Sequence, residues 1–188
     1  LPALPKLTAL VQSLGLTAAT HAVVVSSGAD ATDFGASARV YWTLKVLGLK
    51  DLSVLNGGAK AWSDAQLALS TEAAKIAASS FQPTLDTSLI ATTAQDAVLI
   101  DARPAAFYQG ETRAPAAKVA GTLPGAVNVQ HDKWFAPGSS VFVGATQARQ
   151  VAVASAIDQA KETVSFCNTG HSHVHRATAG HLQLQRDA

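Results

Sequence analysis

The sequence predicts an α/β protein made of two similar units, each a parallel sheet flanked by helices. Short runs of β-branched residues alternate with helical patterns, an order that favours parallel strands joined by right-handed crossovers. The alternation fades after residue 70 and restarts near residue 88. A strand pattern over 23–26 ends in Ser26, and its counterpart over 164–167 ends in Cys167. We therefore predict an internal duplication.

The first unit, residues 1–70, contains two predicted helices and two predicted strands. Leucine and valine recur every three or four positions in the first helix, and a glycine follows each helix. The β-branched run of the first strand is typical of a strand buried on both faces. In chain order we predict a helix over 4–14, a strand within 21–28, a helix over 34–47 and a strand over 53–55.

The second unit, residues 88–188, repeats this pattern after a linker. Residues 71–87 have no clear period and are predicted to connect the two units. Beyond them we predict strands over 98–103, 127–129 and 163–166, and a helix over 146–160. The aromatic residues predicted to lie in the core are Phe34, Tyr41, Trp42 and Trp62.

The composition limits the classes of function. Hydrophobic residues make up 48% and charged residues 14% of 188 residues, which favours a packed core over disorder. A net charge of +1 gives no basic field for nucleic acid or anionic membrane. No apolar run approaches the roughly 20 residues that span a bilayer. We expect a soluble monomer of the cytoplasm or periplasm, and its single cysteine excludes an intramolecular disulfide.

Cys167 is the candidate nucleophile, because it follows a predicted buried parallel strand. Open α/β sheets bind their ligands at the carboxyl ends of such strands. The loop over 168–171 is small and polar, so its backbone N–H groups can point inward and favour a thiolate. The alternative is a cysteine that acts only as a small core hydrophobe.

Two regions carry a resemblance to a known family. Residues 38–42 followed by 55–62 are similar to the signature AxRxYW…LDGGxxAW, with Asn56 in place of the usual aspartate. Residues 99–103 resemble the strand that opens the catalytic domain of the same family. The family is that of the tandem-domain rhodaneses, the thiosulfate and 3-mercaptopyruvate sulfurtransferases.

Two further segments match the same family in the right order. Residues 121–128 are similar to its GHIPGAxN turn, with Thr122 in place of histidine. Residues 167–171 fall where the family keeps its active-site loop. The resemblance therefore extends over roughly 22–171, and it implies two rhodanese-like domains.

The resemblance implies sulfur transfer through a persulfide on Cys167. The thiolate takes sulfane sulfur from a small anionic donor, thiosulfate or 3-mercaptopyruvate, and passes it to cyanide or a thiol. No cofactor or metal is implied, and Asp101 has a structural role beside the site. The residues implied to bind the donor are Asn168, Thr169, Gly170, His171 and Arg103. Because Ser26 stands where Cys167 stands in the second unit, the first unit is expected to be silent.

Several positions near the predicted site leave alternatives open. Arg103 either attracts the donor or forms an ion pair with Asp101 that holds the strand end to a neighbouring loop. Phe107 stands near a second arginine of some thiosulfate enzymes, which weakens the case for thiosulfate. Arg113 and Lys118 either line the mouth of the site or are solvated surface charges.

Other classes of function remain as alternatives. A rhodanese-like module that only binds a partner is the main one. A cysteine-dependent phosphatase is less favoured, because the arginine of its Cys-x5-Arg loop is His173 here. Cysteine and alternating histidines at His171, His173 and His175 resemble a zinc ligand set, but no paired Cys-x-x-Cys supports one. The family pattern is not recognisable after about residue 171 or at the start of the chain, so we expect both ends to be incomplete or altered.

Overall fold

The computed structural model describes residues 1–90, 97–115, 117–157 and 161–168, and the backbone of Arg176–Ala177. Helices and strands alternate as predicted. In chain order they are α1 (Leu4–Ser13), β1 (Ala22–Val24), α2 (Ala31–Val46), β2 (Leu52–Val54), α3 (Gly58–Asp64), β3 (Val98–Asp101), α4 (Ala105–Tyr108), β4 (Val127–Asn128), α5 (Ala145–Ala154), β5 (Thr163–Phe166) and β6 (Arg176–Ala177). Short 3-10 turns lie at Thr87–Leu89 and His131–Trp134.

The first sheet is a parallel pair, β1 and β2, with Ala22 opposite Leu52. Helices α1 and α2 contribute the apolar residues that cover one face of this pair. In α1 a spacing of four places Leu7 and Val11 on one buried stripe, whereas α2 is buried over a wider arc of its surface. The core of the first unit consists of Leu7, Val11, Leu44, Leu47, Leu49 and Leu52.

Helix α2 begins three residues before the predicted start. The carboxylate of Asp30 accepts hydrogen bonds from the backbone N–H groups of Thr32 and Asp33, both at 2.8 Å. Such an N-cap satisfies donors that the first helical turn leaves without partners, so the helix extends back to the cap. The prediction followed hydrophobic periodicity from Phe34 and missed this signal.

The second sheet has the strand order β4-β3-β5-β6. Strands β3, β4 and β5 are parallel, as predicted, and Asp101 is paired with Asn128 on one side and Phe166 on the other. Strand β6 runs antiparallel to β5 and was not predicted. Helix α5 ends before the predicted boundary, and Ala156 beyond it has a positive φ of 53°.

The segment that connects β4 to α5 reaches across to the first unit. The rings of Phe135 and Phe142 stack with centroids 4.8 Å apart, and both contact the edge or face of Phe34 at 5.2 and 4.4 Å. The hydroxyl of Ser140 donates to the carbonyl of Gly28 at 3.0 Å and is buried. The two sheets therefore share an apolar cluster, named here the aromatic bridge (Phe34, Phe135 and Phe142).

The aromatic residues differ in burial. Phe34 and Trp42 are buried, as predicted. The prediction for Trp62 is wrong, because 39% of this residue is exposed and its indole N–H donates to the carbonyl of Ala68 at 3.0 Å. At this surface position the indole N–H of Trp62 has a hydrogen-bond partner, and the ring is only partly covered.

The predicted linker has no helix or strand from residue 71 to 86. It lies along α1, where Gln12 donates from its side-chain amide to the carbonyl of Phe81 and Ser79 donates to the carbonyl of Leu16. The division into units 1–70 and 88–188 stays a prediction. Among the described residues, no helix combines the length and apolar character needed to cross a membrane.

Candidate active site

Cys167 directly follows β5, at the carboxyl end of the second sheet. The backbone around it is fixed by pairing with β3: Asp101 lies opposite Phe166, and the N–H of Ala102 donates to the carbonyl of Phe166 at 3.1 Å. The cysteine is partly exposed. Its position is therefore the one that ligand sites occupy in open α/β sheets.

A buried ion pair lies beside this strand end. Asp101 has no solvent exposure, and the side chain of Arg103 is only 12% exposed. The guanidinium binds the carboxylate through two N–H groups, Nε to Oδ1 at 2.8 Å and Nη2 to Oδ2 at 2.5 Å. This two-point geometry matches the planar fork of arginine to the carboxylate.

The carboxylate of Asp101 receives two more hydrogen bonds. The hydroxyl of Thr122 donates to Oδ2 at 2.7 Å, and the backbone N–H of Arg103 donates to Oδ1 at 3.0 Å. Burial by itself raises the pKa of Asp101, but the hydrogen bonds from Arg103 and Thr122 outweigh it and hold the pKa below its usual value. Both residues therefore stay charged at neutral pH.

Arg103 also reaches the residues on both sides of Cys167. Its Nη1 donates to the side-chain oxygen of Asn168 at 3.1 Å, and its guanidinium carbon lies 5.9 Å from the ring centroid of Phe166. A further bond runs from Nη2 to the carbonyl of Gly121 at 2.8 Å. The hydrogen bond with Asp101 is the main cause that raises the pKa of Arg103, and the charge of Cys167 contributes to the same shift.

Asn128 secures the end of β3 from the other side. Its side-chain amide donates to the carbonyl of Asp101 at 2.9 Å and to that of Arg103 at 2.8 Å. From the sequence, Asn128 was recognised only as part of a turn signature, and no role was predicted for it. An amide at the end of a strand that offers two donors is a usable signal for such a clamp.

His131 lies next to this strand end as well. Its backbone N–H donates to the carbonyl of Ala102 at 3.0 Å, and Nδ1 lies 3.3 Å from the same oxygen. It is also one of the residues that line a cleft of about 860 Å³, which contains groups from α2, from the 3-10 turn after β4 and from α5. Cys167 is not among the lining residues, so this cleft is not assigned as the active site.

Three of the predicted donor-binding residues, Thr169, Gly170 and His171, lie outside the described residues, as do His173 and His175. The backbone anion cradle therefore stays a prediction. Within the part of the chain that the structure describes, no group of three His, Cys, Asp or Glu residues could hold a metal ion.

The other charged candidates lie at the surface. Arg113 donates from Nη1 to the carbonyl of Ala117 within its own loop, and Lys118 is exposed nearby. Phe107, which stands near the position of a second arginine in some thiosulfate enzymes, is half-buried in α4. These contacts favour the solvated-charge interpretation of Arg113 and Lys118.

Ser26 is the predicted counterpart of Cys167 in the first unit. Ser26 follows β1, is 8% exposed, and makes no hydrogen bond through its hydroxyl within the described residues. A side chain at Gly58 would lie 2.7 Å from this hydroxyl, so the wall beside it has to be glycine. The space around Ser26 is therefore closed by backbone.

A carboxylate occupies the loop that follows Ser26. The N–H of Gly28 donates to Oδ2 of Asp33 at 2.9 Å, and this bond is the main cause that lowers the pKa of Asp33. A backbone donor that a loop could offer to an external anion is thus bound to a side chain of the same unit. That the first unit is silent stays a prediction.

Comparison with known proteins supports the resemblance noted in the sequence. No family model matches the chain. The thiosulfate sulfurtransferase of Gallus gallus is 30% identical over 180 residues, which cover 92% of this chain and 61% of that protein. The 3-mercaptopyruvate sulfurtransferase of Rattus norvegicus is 28% identical over 172 residues, covering 87% of this chain and 57% of that protein. The chain thus spans about three fifths of the length of these relatives.

Solved structures show the fold. The 3-mercaptopyruvate sulfotransferase SseA of Escherichia coli, described as having the rhodanese fold, matches 96% of this chain and 66% of its own with a TM-score of 0.72 and 21% identity. The anaerobic ergothioneine biosynthesis enzyme of Chlorobium limicola matches 90% of this chain and 47% of its own, with a TM-score of 0.72 and 20% identity. The chain has a rhodanese fold, and its resemblance to the rhodanese sulfurtransferases, predicted from four short segments, is confirmed.

Proposed function

We propose that this protein is a sulfurtransferase that moves sulfane sulfur from thiosulfate or 3-mercaptopyruvate to cyanide or a thiol through a persulfide on Cys167. The observation that carries the proposal is the position of Cys167 at the carboxyl edge of the second sheet, between two residues that Arg103 contacts. Similarity to sulfurtransferases over about nine tenths of the chain supports the same chemistry.

The proposed reaction has two half-reactions. In the first, the Cys167 thiolate attacks the outer sulfur of thiosulfate, a sulfur–sulfur bond forms, and the bond to the sulfonate sulfur breaks with release of sulfite. In the second, cyanide or a thiolate attacks the outer sulfur of the persulfide, and Cys167 leaves as a thiolate. Each step exchanges one nucleophile for another, so no external oxidant or reductant is needed.

With 3-mercaptopyruvate the same carrier is formed differently. The thiolate attacks the sulfur of the donor, the carbon–sulfur bond breaks, and the electrons of that bond go to the carbon that becomes the methyl group of pyruvate after protonation. The persulfide that results is the same species. The two donors therefore differ only in the group that has to be bound and released.

No cofactor is part of the proposal, because the thiol itself carries the sulfur. The negative charge of the persulfide needs donors around it, and the loop after Cys167 is the proposed source of backbone N–H groups. Beside this loop, Arg103 donates to Asn168 while it pairs with Asp101.

The test is thiocyanate formation from cyanide with each donor in turn. We expect turnover with at least one donor, none above background for Cys167→Ser, and unchanged turnover for Ser26→Ala, because Ser26 cannot form a persulfide. Thiocyanate from the Cys167→Ser variant would overturn the assignment of the carrier. If the wild-type chain forms none with either donor or with a thiol acceptor, the proposal fails in favour of a rhodanese-like binding module.

A further inference from the structure

We propose that Arg103 is a positioning residue: its guanidinium holds Phe166 and Asn168, the two neighbours of Cys167, and so fixes how the cysteine is presented, rather than binding the sulfur donor. The inference rests on the proposed function only for its catalytic consequence. Its structural part, the coupling between Arg103 and Asn168, can be measured without any turnover.

Most N–H groups of the Arg103 guanidinium already have partners in the protein. Nε and Nη2 bind the two oxygens of Asp101, Nη2 also binds the carbonyl of Gly121, and Nη1 binds Asn168. A guanidinium has five N–H donors, so four of them have protein partners. An anionic donor would have to compete with these bonds.

The charge of Arg103 also speaks against a role as the receptor for an anion. The carboxylate of Asp101, which is fully buried, already compensates the positive charge of Arg103. A receptor for an anion needs a positive charge that is not neutralised at short range, because the field of a tight ion pair falls off much faster than that of a single charge. Arg103 is therefore better suited to hold a polar side chain than to recruit an anion.

The guanidinium of Arg103 lies beside both neighbours of Cys167. It packs 5.9 Å from the ring centroid of Phe166 and donates at 3.1 Å to Asn168, so it contacts the residue before and the residue after Cys167. Asp101 binds the guanidinium from the buried end of β3, and Thr122 donates to the same carboxylate. The backbone of Cys167 is thereby connected to the rigid sheet on both sides.

The consequence is a division of roles at this edge of the sheet. Arg103 and Asn168 orient the cysteine, and the groups that meet the donor lie elsewhere. Positioning of a nucleophile acts on the rate of the chemical step, whereas a receptor for the donor acts on the concentration at which the site is half-saturated. The two roles can therefore be separated by kinetics.

The experiment measures single-turnover sulfur uptake against thiosulfate concentration in four variants: Arg103→Lys, Asn168→Ala, the double variant, and Arg113→Ala as a matched arginine control. Lysine keeps the charge but cannot reach Asp101, Gly121 and Asn168 together. We expect each single substitution to lower the maximal rate by about tenfold, the size of a lost positioning contact. We also expect an unchanged half-saturating concentration and a double variant no slower than the slower single one.

Three results would overturn the inference. They are an Arg103→Lys variant with wild-type rate, an increase in the half-saturating concentration confined to the Arg103 variant, and losses that simply multiply in the double variant. Thermal melts identify any variant that is not folded, and Asn168→Ala, which removes only the exposed end of the contact, keeps the test valid if Arg103→Lys unfolds.

Hydrogen exchange separates this inference from the proposed function. We expect the peptide that contains Cys167 and Asn168 to exchange at least threefold faster in Arg103→Lys and in Asn168→Ala, but not in Arg113→Ala, because the contact holds the backbone there. Unchanged exchange in both variants contradicts the positioning role. Faster exchange together with no sulfur uptake by the wild-type chain would keep the contact and reject the proposed function.

Discussion

Asp101 carries a full negative charge at a position with no solvent exposure, and its neighbours are arranged around that charge. Arg103 supplies the opposite charge and three hydrogen bonds, two from its guanidinium and one from its backbone N–H. Thr122 supplies a fourth, from a position where the family signature has histidine. Burying both charges costs free energy that such a geometry offsets. The pair is therefore sensitive to the loss of either member.

The first prediction is that Asp101→Asn lowers the free energy of unfolding by about 3 kcal/mol. The substitution leaves the guanidinium of Arg103 buried without an opposite charge, which is the costly way to break such a pair. Urea unfolding measures the loss. Thr122→Val is the control, with an expected loss of about 1 kcal/mol for one hydrogen bond, and a loss below that for Asp101→Asn would contradict the account.

The second prediction concerns acid. The pKa of Asp101 is lowered in the folded protein, whereas an unfolded aspartate titrates near about 3.9. The stabilisation that follows is fully present above the unfolded value and is lost as the pH falls below it toward the folded pKa. We therefore expect the difference in free energy of unfolding between wild type and Asp101→Asn to shrink as the pH falls from about 5 to about 3, as measured by urea unfolding. A difference that stays constant over this range would show that this carboxyl does not titrate as described.

At the residue scale, the sequence indicated Cys167, Asp101 and Arg103 as site residues and left an Asp101–Arg103 ion pair as one of two alternatives, and the structure contains that pair. A motif identifies residue types at given spacings, and it does not say in which direction a side chain points. The choice between donor binding and an ion pair at Arg103 depended on such directions, and so did the contact with Asn168. The clamp formed by Asn128 depended on them as well.

The loop between β1 and α2 is the element whose geometry is most constrained by glycine. Gly28 has a φ of +87°, and its carbonyl accepts the hydrogen bond of Ser140. A side chain at this position would lie 2.2 Å from the carbonyl oxygen of Gly57 and 2.8 Å from Cβ of Lys60. The loop after β1 and the start of α3 therefore pack backbone against backbone.

The third prediction is that Gly28→Ala destabilises the protein much more than Gly138→Ala. Both glycines have positive φ, so each substitution costs about 1–2 kcal/mol of backbone strain. Only Gly28 adds a clash, because nothing lies within 4 Å of a side chain at Gly138. Thermal unfolding of the two variants measures the difference, and equal losses would show that the packing at Gly28 does not matter.

At the element scale, sequence patterns predicted every helix and strand of the first unit except α3, which was treated as a motif. The prediction that β1 is buried on both faces is wrong, because 51% of Val23 is exposed. The ends were less accurate, since α2 starts at a cap formed by Asp30 and α5 ends before a residue with positive φ. Strand β6 was not predicted at all. Caps and strand pairing depend on single polar side chains and on distant partners, which a local period does not contain.

At the scale of the whole molecule, the segment after β4 connects the second unit to the first. The aromatic bridge joins the segment after β4 to α2, and the N–H of Phe142 donates to the side chain of Asn56 at 2.8 Å. Asn56 stands where the family signature has aspartate, and its amide oxygen serves as the acceptor here. The duplication stays a prediction from the sequence, and this connection was not predicted, because its residues are far apart along the chain.

The fourth prediction is that Phe135→Ala lowers the free energy of unfolding by about 3–5 kcal/mol, the usual loss for a buried phenylalanine. Because the bridge belongs to both units, we expect a single transition in which tryptophan fluorescence and far-UV circular dichroism change together. Val153→Ala, at a position 67% exposed, is the control and should stay within about 0.5 kcal/mol of wild type. Two separate transitions in the wild-type protein would contradict the shared core.

The most direct test of the account is the intact mass of the protein after brief exposure to thiosulfate, with Cys167→Ser as the control. The single cysteine makes the measurement unambiguous, since only one thiol can gain sulfur. We expect the mass of the wild-type protein to increase by one sulfur atom and to return to its starting value when cyanide is added. The mass of the Cys167→Ser variant should not change. A wild-type mass that stays unchanged, with 3-mercaptopyruvate as well as with thiosulfate, would contradict Cys167 as the sulfur carrier.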